Sequence, residues 1–353
     1  MPLHVHPGTT DLLLPAPGSD PGHGAYTVYT HYFSAIVPEA RIGIYAYLRC
    51  QPGLGLSQGG VSIYRGLDNL SLLDAEHHDY RATMPWPTIH DAAIDVPNGM
   101  RIEVPTPGEH LRLLYGSPDG EVVLEVDLRA LTPLVARGHV ADIDAAGGET
   151  PAGGSEQLVR ATGRLLLHGE RHEIDCATLR DRSWGRERRE PPGGGANVPP
   201  LGWVGVHFPG RYSTSHRGFE PADTDPAWLG VNELPGGPHH IGGWLQVDGR
   251  LRGLRDVRRT VHERHPITHV PLVQSIEVTD DDGRTVRFDG EAIAAAPVTS
   301  WPNIEIRDAV YRWTDRESGD VAHSSFQEGW YDRFQRAMKH RRPALRSPLA
   351  VER

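Results

Sequence analysis

Leu272-Val273-Gln274-Ser275-Ile276-Glu277-Val278 is followed by Asp282-Gly283 and then by Thr285-Val286-Arg287-Phe288. Alternating and β-branched side chains lead to a dipeptide that tolerates positive φ, and a second such run leads away from it. That pattern marks a tight antiparallel hairpin. The same punctuation recurs at Asp119-Gly120, Asp248-Gly249 and Asp289-Gly290. Further strand-like runs occupy Arg41–Arg49, Gly60–Arg65, Glu121–Leu128, Leu158–Leu167, Gly202–Phe208, Ile241–Val247 and Ile304–Trp313. Short strands at this spacing imply an all-β barrel or sandwich. With 40 Gly and 30 Pro among 353 residues, little room remains for long helices. Leu67–Asp79 allows a helical turn or two. Near the C-terminus Val321–Trp330 reads as a last strand and Asp332–Lys339 as a short helix.

Two punctuated stretches read as seams: Ala145–Gly154 and Glu190–Pro200. Cutting at the second predicts an N-terminal unit over 1–190 and a C-terminal unit over 200–353, each the size of a β-barrel domain. The first seam then becomes a long hairpin loop inside the N-terminal unit. No short-period repeat is present, which disfavours a propeller or solenoid.

Composition excludes several classes. No run approaches 18 apolar residues, so no membrane-spanning helix is expected. Met1–Gly24 lacks a basic start before an apolar stretch, which argues for a cytoplasmic protein rather than a secreted one. A net charge of −10 disfavours nucleic acid as a partner. Lys339 is the single lysine, so a Walker phosphate loop is absent and Schiff-base chemistry is disfavoured. Cys50 and Cys176 form no Cys-x-x-Cys motif and read as two free, buried thiols. Gly55-Leu56-Ser57-Gln58-Gly59 matches the nucleophile-elbow pattern, but strand-like sequence lies on both sides, so a glycine-rich hairpin connection is the better reading. The histidine groups (His168 and His172 with Glu170; His262, His265 and His269) have no recognised ligand spacing, and no metal is assigned. No sequence feature calls for a cofactor.

The densest unusual segment is Arg180-Asp181-Arg182-Ser183-Trp184-Gly185-Arg186. Two arginines flanking an aspartate favour its ionised form. One reading is an Arg–Asp network pinning one domain onto the next; the other is a polar cluster at the mouth of an apolar cavity. Aromatic residues with interspersed His and Glu occur at His31-Tyr32-Phe33, Tyr45-Ala46-Tyr47, Trp203 with His207, and His323, Glu328, Trp330 and Tyr331. Such a mixture suits a pocket for a hydrophobic ligand.

The Arg-Asp-Arg-Ser-Trp-Gly run lies after an all-β first half and before Gly202-Trp203-Val204-Gly205-Val206. In this the chain resembles the tandem lipocalin-like (calycin) superfamily of carotenoid 1,2-hydratase, AttH-like and kievitone-hydratase-like proteins. More closely it resembles a bacterial branch carrying that run. The resemblance covers roughly Thr27 to Arg333. It implies two lipocalin-like antiparallel β-barrels packed together, with a ligand cavity in or between them. In the hydratase branch the motif is Asp-x-Glu-Trp, with the aspartate in proton transfer. Asp181 and Trp184 match, and Ser183 stands in place of the glutamate.

The expected function is a cofactor-independent acid–base enzyme (hydratase or dehydratase, isomerase, cyclase or lyase). Its substrate would be a hydrophobic small molecule such as a terpenoid, steroid, polyketide or aromatic. The alternative is a non-catalytic carrier or sensor of such a molecule. The candidate catalytic groups are Asp181, Glu328, His207 and His323, with the Glu328 carboxyl expected to be raised by an apolar wall. Candidate substrate contacts are Trp184, Arg182, Arg186, Trp203, Tyr45, His31 and Tyr331. Homodimerisation is left open.

Overall fold

The protein is described by a computed structural model covering residues 3–6, 8–18, 24–136, 153–187, 200–219, 240–301, 304–331 and 335. The first unit contains β1 (Thr27–Val37), β2 (Ile42–Gln51), β3 (Leu56–Arg65), β4 (His77–Met84), β5 (Thr88–His90) and β6 (Ala93–Asp95). It continues with β7 (Met100–Thr106), β8 (His110–Gly116), β9 (Val122–Ala130), β10 (Val135–Ala136), β11 (Gly153–Leu167) and β12 (Glu170–Glu187). The second contains β13 (Leu201–Phe208), β14 (Tyr212–Phe219), β15 (His240–Val247) and β16 (Arg250–Arg264). It ends with β17 (Pro271–Asp280), β18 (Thr285–Trp301), β19 (Ile304–Asp315) and β20 (Val321–Tyr331).

The architecture is all-β. β1 to β12 form one antiparallel sheet in the order 4-3-2-1-12-11-9-8-7-6-5, with β10 beside β11. Its opposite ends contribute to one core, because Ile44 and Ile63 cluster with Ile102, Leu113 and Leu124; the sheet therefore curls into a half-barrel. β13 to β20 close into an eight-stranded barrel, with β13 paired to β20. Closure removes the exposed strand edges. The opening hairpin is β17–β18, pairing Val278 with Val286 across Asp282-Gly283. Gly55 to Gly59 lies in the β2–β3 hairpin, and Ser57 donates to the Pro85 carbonyl at 2.7 Å. Both cysteines are free and buried. Val321–Tyr331 is a strand, whereas the expected helix at 332–339 falls outside the described residues except for Gln335. Most of both seams also falls outside them. No helix among the described residues is long and apolar enough to cross a membrane.

The half-barrel packs against the closed barrel through β1, β2, β3, β11 and β12. Every residue of β1 is buried. Side chains alternate across a strand, so Tyr29, Phe33 and Ala35 enter the first core while Tyr32 and Ser34 face the second unit. The Ser34 and Ser325 hydroxyls meet at 2.9 Å across this junction.

Strand β12 divides the arginine-rich run by the same alternation. Arg180, Arg182 and Trp184 point into the first unit, and Asp181 and Ser183 point toward the second. Arg180 pairs with Asp11 at 2.7 Å, and both side chains are almost fully buried. Arg182 donates to the carbonyls of Thr10, Leu13, Thr30 and Ser183. The arginines thus fasten the N-terminal segment around Thr9–Leu12 to its own unit, and the network expected to pin one unit onto the other is corrected to that extent.

Removing one member of a buried, hydrogen-bonded ion pair leaves an uncompensated charge. Asp11→Ala is therefore expected to destabilise the protein by about 3–5 kcal/mol, measured as a lowered denaturant midpoint.

Candidate active site

Two rows of side chains face each other where the units meet. On the half-barrel, the register places Tyr47, Tyr32, Asp181 and Glu156 side by side on β2, β1, β12 and β11. Directly opposed residues share a face, with Cβ atoms roughly 4.5–5.5 Å apart. On the closed barrel, Asp308, Gln327 and Trp203 align in the same way on β19, β20 and β13. Between the rows lies a cavity of ≈ 140 Å³ lined by Tyr32, Tyr45, Tyr47, Asp181, Trp203 and Gln327, with Ser183 beside Asp181.

The walls are cross-braced by polar contacts. Trp203 and Trp244 each donate an indole N–H to Glu156, both at 3.1 Å. The Tyr45 hydroxyl donates to the Thr299 carbonyl at 3.2 Å. Asp308 sits behind the cavity, 1% exposed. Its carboxyl accepts from the Tyr64 hydroxyl at 2.7 Å, Gln327 Nε2 at 2.9 Å and the Tyr32 hydroxyl at 3.4 Å. Burial pushes this carboxyl from 3.8 up to about 7, against the opposing effect of those three donors. Burial, then the Asp308 charge, raises the Tyr32 hydroxyl well above the ordinary phenol range. Tyr32 links the buried carboxyl to the cavity, since it both lines the cavity and donates to Asp308.

A second cavity of ≈ 290 Å³ opens farther along the same junction, lined by His207, His323, Arg160, Glu39 and Cys176. Burial, then the charge of Arg160, lowers His207. Burial, then Arg312, lowers His323 against the opposing pull of Glu39. The contact of Gly205 with Leu179 lies between the two cavities, because Trp203, Gly205 and His207 follow one another along one face of β13. A Cβ at Gly205 would lie 2.4 Å from the Leu179 side chain, so glycine is what permits this approach.

Of the residues expected from sequence, Asp181, Trp203 and Tyr45 meet at the first cavity, while His207 and His323 meet at the second. Glu328 lies inside the closed barrel, fully buried, with Arg259 at 2.6 Å, Arg264 at 2.9 Å and the Trp330 indole N–H at 2.8 Å. Burial alone would raise its carboxyl, but Arg264 and Arg259 outweigh that and hold it at about 2. The expected upward shift is therefore reversed by the two guanidinium groups. His31, Arg182 and Trp184 face the first core, where burial, then Arg182 and Arg180, drives His31 well below its ordinary value. Tyr331 pairs with Ile304 on the rim side of β19 and β20, away from the lining of the cavity. The Arg186 side chain lies outside the described residues.

Sequence reading missed Gln327, Asp308 and Glu156, and it named Tyr32 only within the aromatic run His31-Tyr32-Phe33. The signal for Asp308 was an acid directly ahead of Ala309-Val310-Tyr311 in a strand-like run. Tyr32 stood beside His31, and the alternation did not reveal which of them faced the site.

A family model described as a domain of unknown function, DUF7064, matches residues 20–327. The chain belongs to the DUF7064 family. No curated protein matches it. Among solved structures, this DUF7064 chain resembles kievitone hydratase from Nectria haematococca, with a TM-score of 0.51 and 15% identity over 93% of this chain and 96% of that one. At that identity the likeness is one of fold, and it extends over both units.

The raised Asp308 carboxyl sets a pH dependence. Between about pH 4 and 7 the folded state retains a proton that the unfolded chain releases, so stability falls as pH rises through that window. Asp308→Asn removes the titration and keeps hydrogen-bonding atoms in place. The variant should show a flatter stability profile and exceed the parent protein by about 2–4 kcal/mol above pH 7, read from denaturant midpoints at mildly acidic and mildly alkaline pH.

Proposed function

We propose that the first cavity is the active site of a cofactor-independent acid–base enzyme of the hydro-lyase type, acting on an apolar small molecule. The observation that carries this is the Tyr32–Asp308 pair placed beside Asp181 in a cavity walled by Tyr45, Tyr47 and Trp203. A carboxyl near neutrality can both give and take a proton at working pH. Here it is buried, and it is linked to the cavity by a phenol.

In the hydration direction the protonated Asp308 donates to the Tyr32 oxygen and the Tyr32 hydroxyl hydrogen turns to the cavity, so that Asp308 passes its proton to that oxygen as Tyr32 delivers its own to one carbon of a C=C bond. Water adds to the other carbon and Asp181 accepts the proton that this water releases. The product is the alcohol, and the proton held by Asp181 returns to Asp308 through solvent between turnovers. Dehydration runs the same steps backward. The tyrosine hydroxyls and Gln327 orient the substrate, and the aromatic walls keep bulk water from the carbocation that protonation of the C=C bond creates. Glu156 acts through Trp203, whose indole it holds, and is a positioning residue.

The cavity is close in size to an apolar cavity of about 150 Å³ that holds benzene. The reacting part of the substrate is therefore a single ring or a fragment of that size, which favours an aromatic or polyketide ring over an extended terpenoid. The shared fold with a protein named as a hydratase supports the same reading.

The test is incubation with a panel of ring-bearing alkenes and alcohols in deuterated water, scored by mass spectrometry for water addition or loss and for carbon-bound deuterium. Tyr32→Phe and Asp181→Asn are expected to reduce turnover by about 10²–10⁴-fold while the unfolding temperature stays close to that of the parent protein. Equal turnover by the variants would exclude this mechanism. Stoichiometric binding without turnover would establish the carrier reading instead.

A further inference from the structure

The interior of the closed barrel holds a second set of polar groups, separate from the first cavity. Register places Gly202 opposite Glu328 and Gly218, and Val204 opposite His216 and Phe326, near the end of the barrel where β13 starts. Arg259 reaches this level from β16. Its Nε donates to Gln274 Oε1 at 2.8 Å and its Nη2 to Glu328 Oε1 at 2.6 Å. Its guanidinium stacks over Phe326 at 5.1 Å from the ring centroid. Gly202 makes room for the head group, since a Cβ there would meet Nη1 at 2.9 Å.

Three fully or almost fully buried side chains at this end keep donors without a protein partner: Arg259 Nη1, Gln274 Nε2 and the His216 ring, neither of whose nitrogens is bonded. Orphaned donors cost free energy in a folded core, and each calls for an explanation. Here all three are N–H groups, on three strands, and one is the remaining arm of a planar guanidinium. Burial, then His240 and Arg259, lowers His216 to about 3, so its ring is neutral and presents one N–H. The charge of Glu328 is shared between Arg259, through its Nη2, and Arg264.

We infer that this end of the closed barrel is a binding site for the carboxylate group of a small organic acid, held by Arg259 Nη1, Gln274 Nε2 and His216. A carboxylate supplies only acceptors, which match the N–H groups that Arg259, Gln274 and His216 offer, and a guanidinium arm binds it by a charge-assisted hydrogen bond. The site is distinct from the junction cavity, and its failure would leave the proposed acid–base chemistry untouched.

The experiment titrates the full chain with formate, acetate and benzoate, and with benzamide as the neutral counterpart of benzoate, following heat of binding and unfolding temperature. At least one carboxylate is expected to bind and raise the unfolding temperature, and benzamide to bind at least tenfold more weakly than benzoate. His216→Phe removes an unbonded polar ring in favour of an apolar one, so the free variant should be as stable as the parent or more so. Its carboxylate affinity should fall at least tenfold. Gln274→Glu keeps an acceptor for Arg259 Nε while replacing the donor with a second acceptor, and should abolish binding. Asp181→Asn, at the other cavity, should bind carboxylates as the parent does. The inference is overturned by a parent protein that binds none of the three acids, by benzamide binding as tightly as benzoate, or by unchanged affinity in His216→Phe and Gln274→Glu.

Discussion

Burial of β1 on both faces is the constraint from which the rest of the structure follows. A strand in the wall of an isolated barrel has one wet face on which polar residues cost nothing. Here that face is covered by the second unit, so every polar group on it needs a partner across the junction or a role beside a cavity. Ser34 finds Ser325 and Tyr32 finds Asp308, and on the neighbouring strand β2 Tyr45 finds the Thr299 carbonyl. The contacts that bind the units together and the groups that line the first cavity are the same side chains. Docking and cavity formation are consequently one event, and loss of alignment between the units would scatter the groups that line the cavity before it exposed much core.

The arginine-rich run shows how a single strand serves two purposes. Its even-numbered members Arg180, Arg182 and Trp184 secure the inside of the half-barrel, and its odd-numbered members Asp181 and Ser183 face the cavity. The charge that surrounds Asp181 in sequence is directed to the opposite face of the sheet, where Asp11 and backbone carbonyls receive it. Ser183 faces the cavity beside Asp181, and Asp308 approaches the same junction from the opposite unit.

The all-β class and several hairpins were legible because Asp-Gly turns and β-branched runs are local features. The site was legible only in part. Asp181, Tyr45 and Trp203 were recognisable as polar or aromatic residues on strands, but their grouping depends on register between strands far apart in the chain. Strand alternation shows that His31 and Tyr32 point opposite ways without showing which of the two unlike interiors each one enters. Glu328 was misread for a related reason: its proximity to Trp330 is visible in sequence, whereas Arg259 and Arg264 arrive from a different part of the barrel. Asp308 was missed because a buried acid is marked in sequence only by its apolar neighbours.

The approach of Leu179 to Gly205 has a consequence for how the junction divides its interior space. Along one face of β13, Gly205 stands between Trp203, which lines the first chamber, and His207, which lines the second. Shortening the side chain at position 179 would leave a void against Gly205 at that point. A change at one side chain thus enlarges the space between the two linings while the strands, their register and the buried carboxyl stay unchanged.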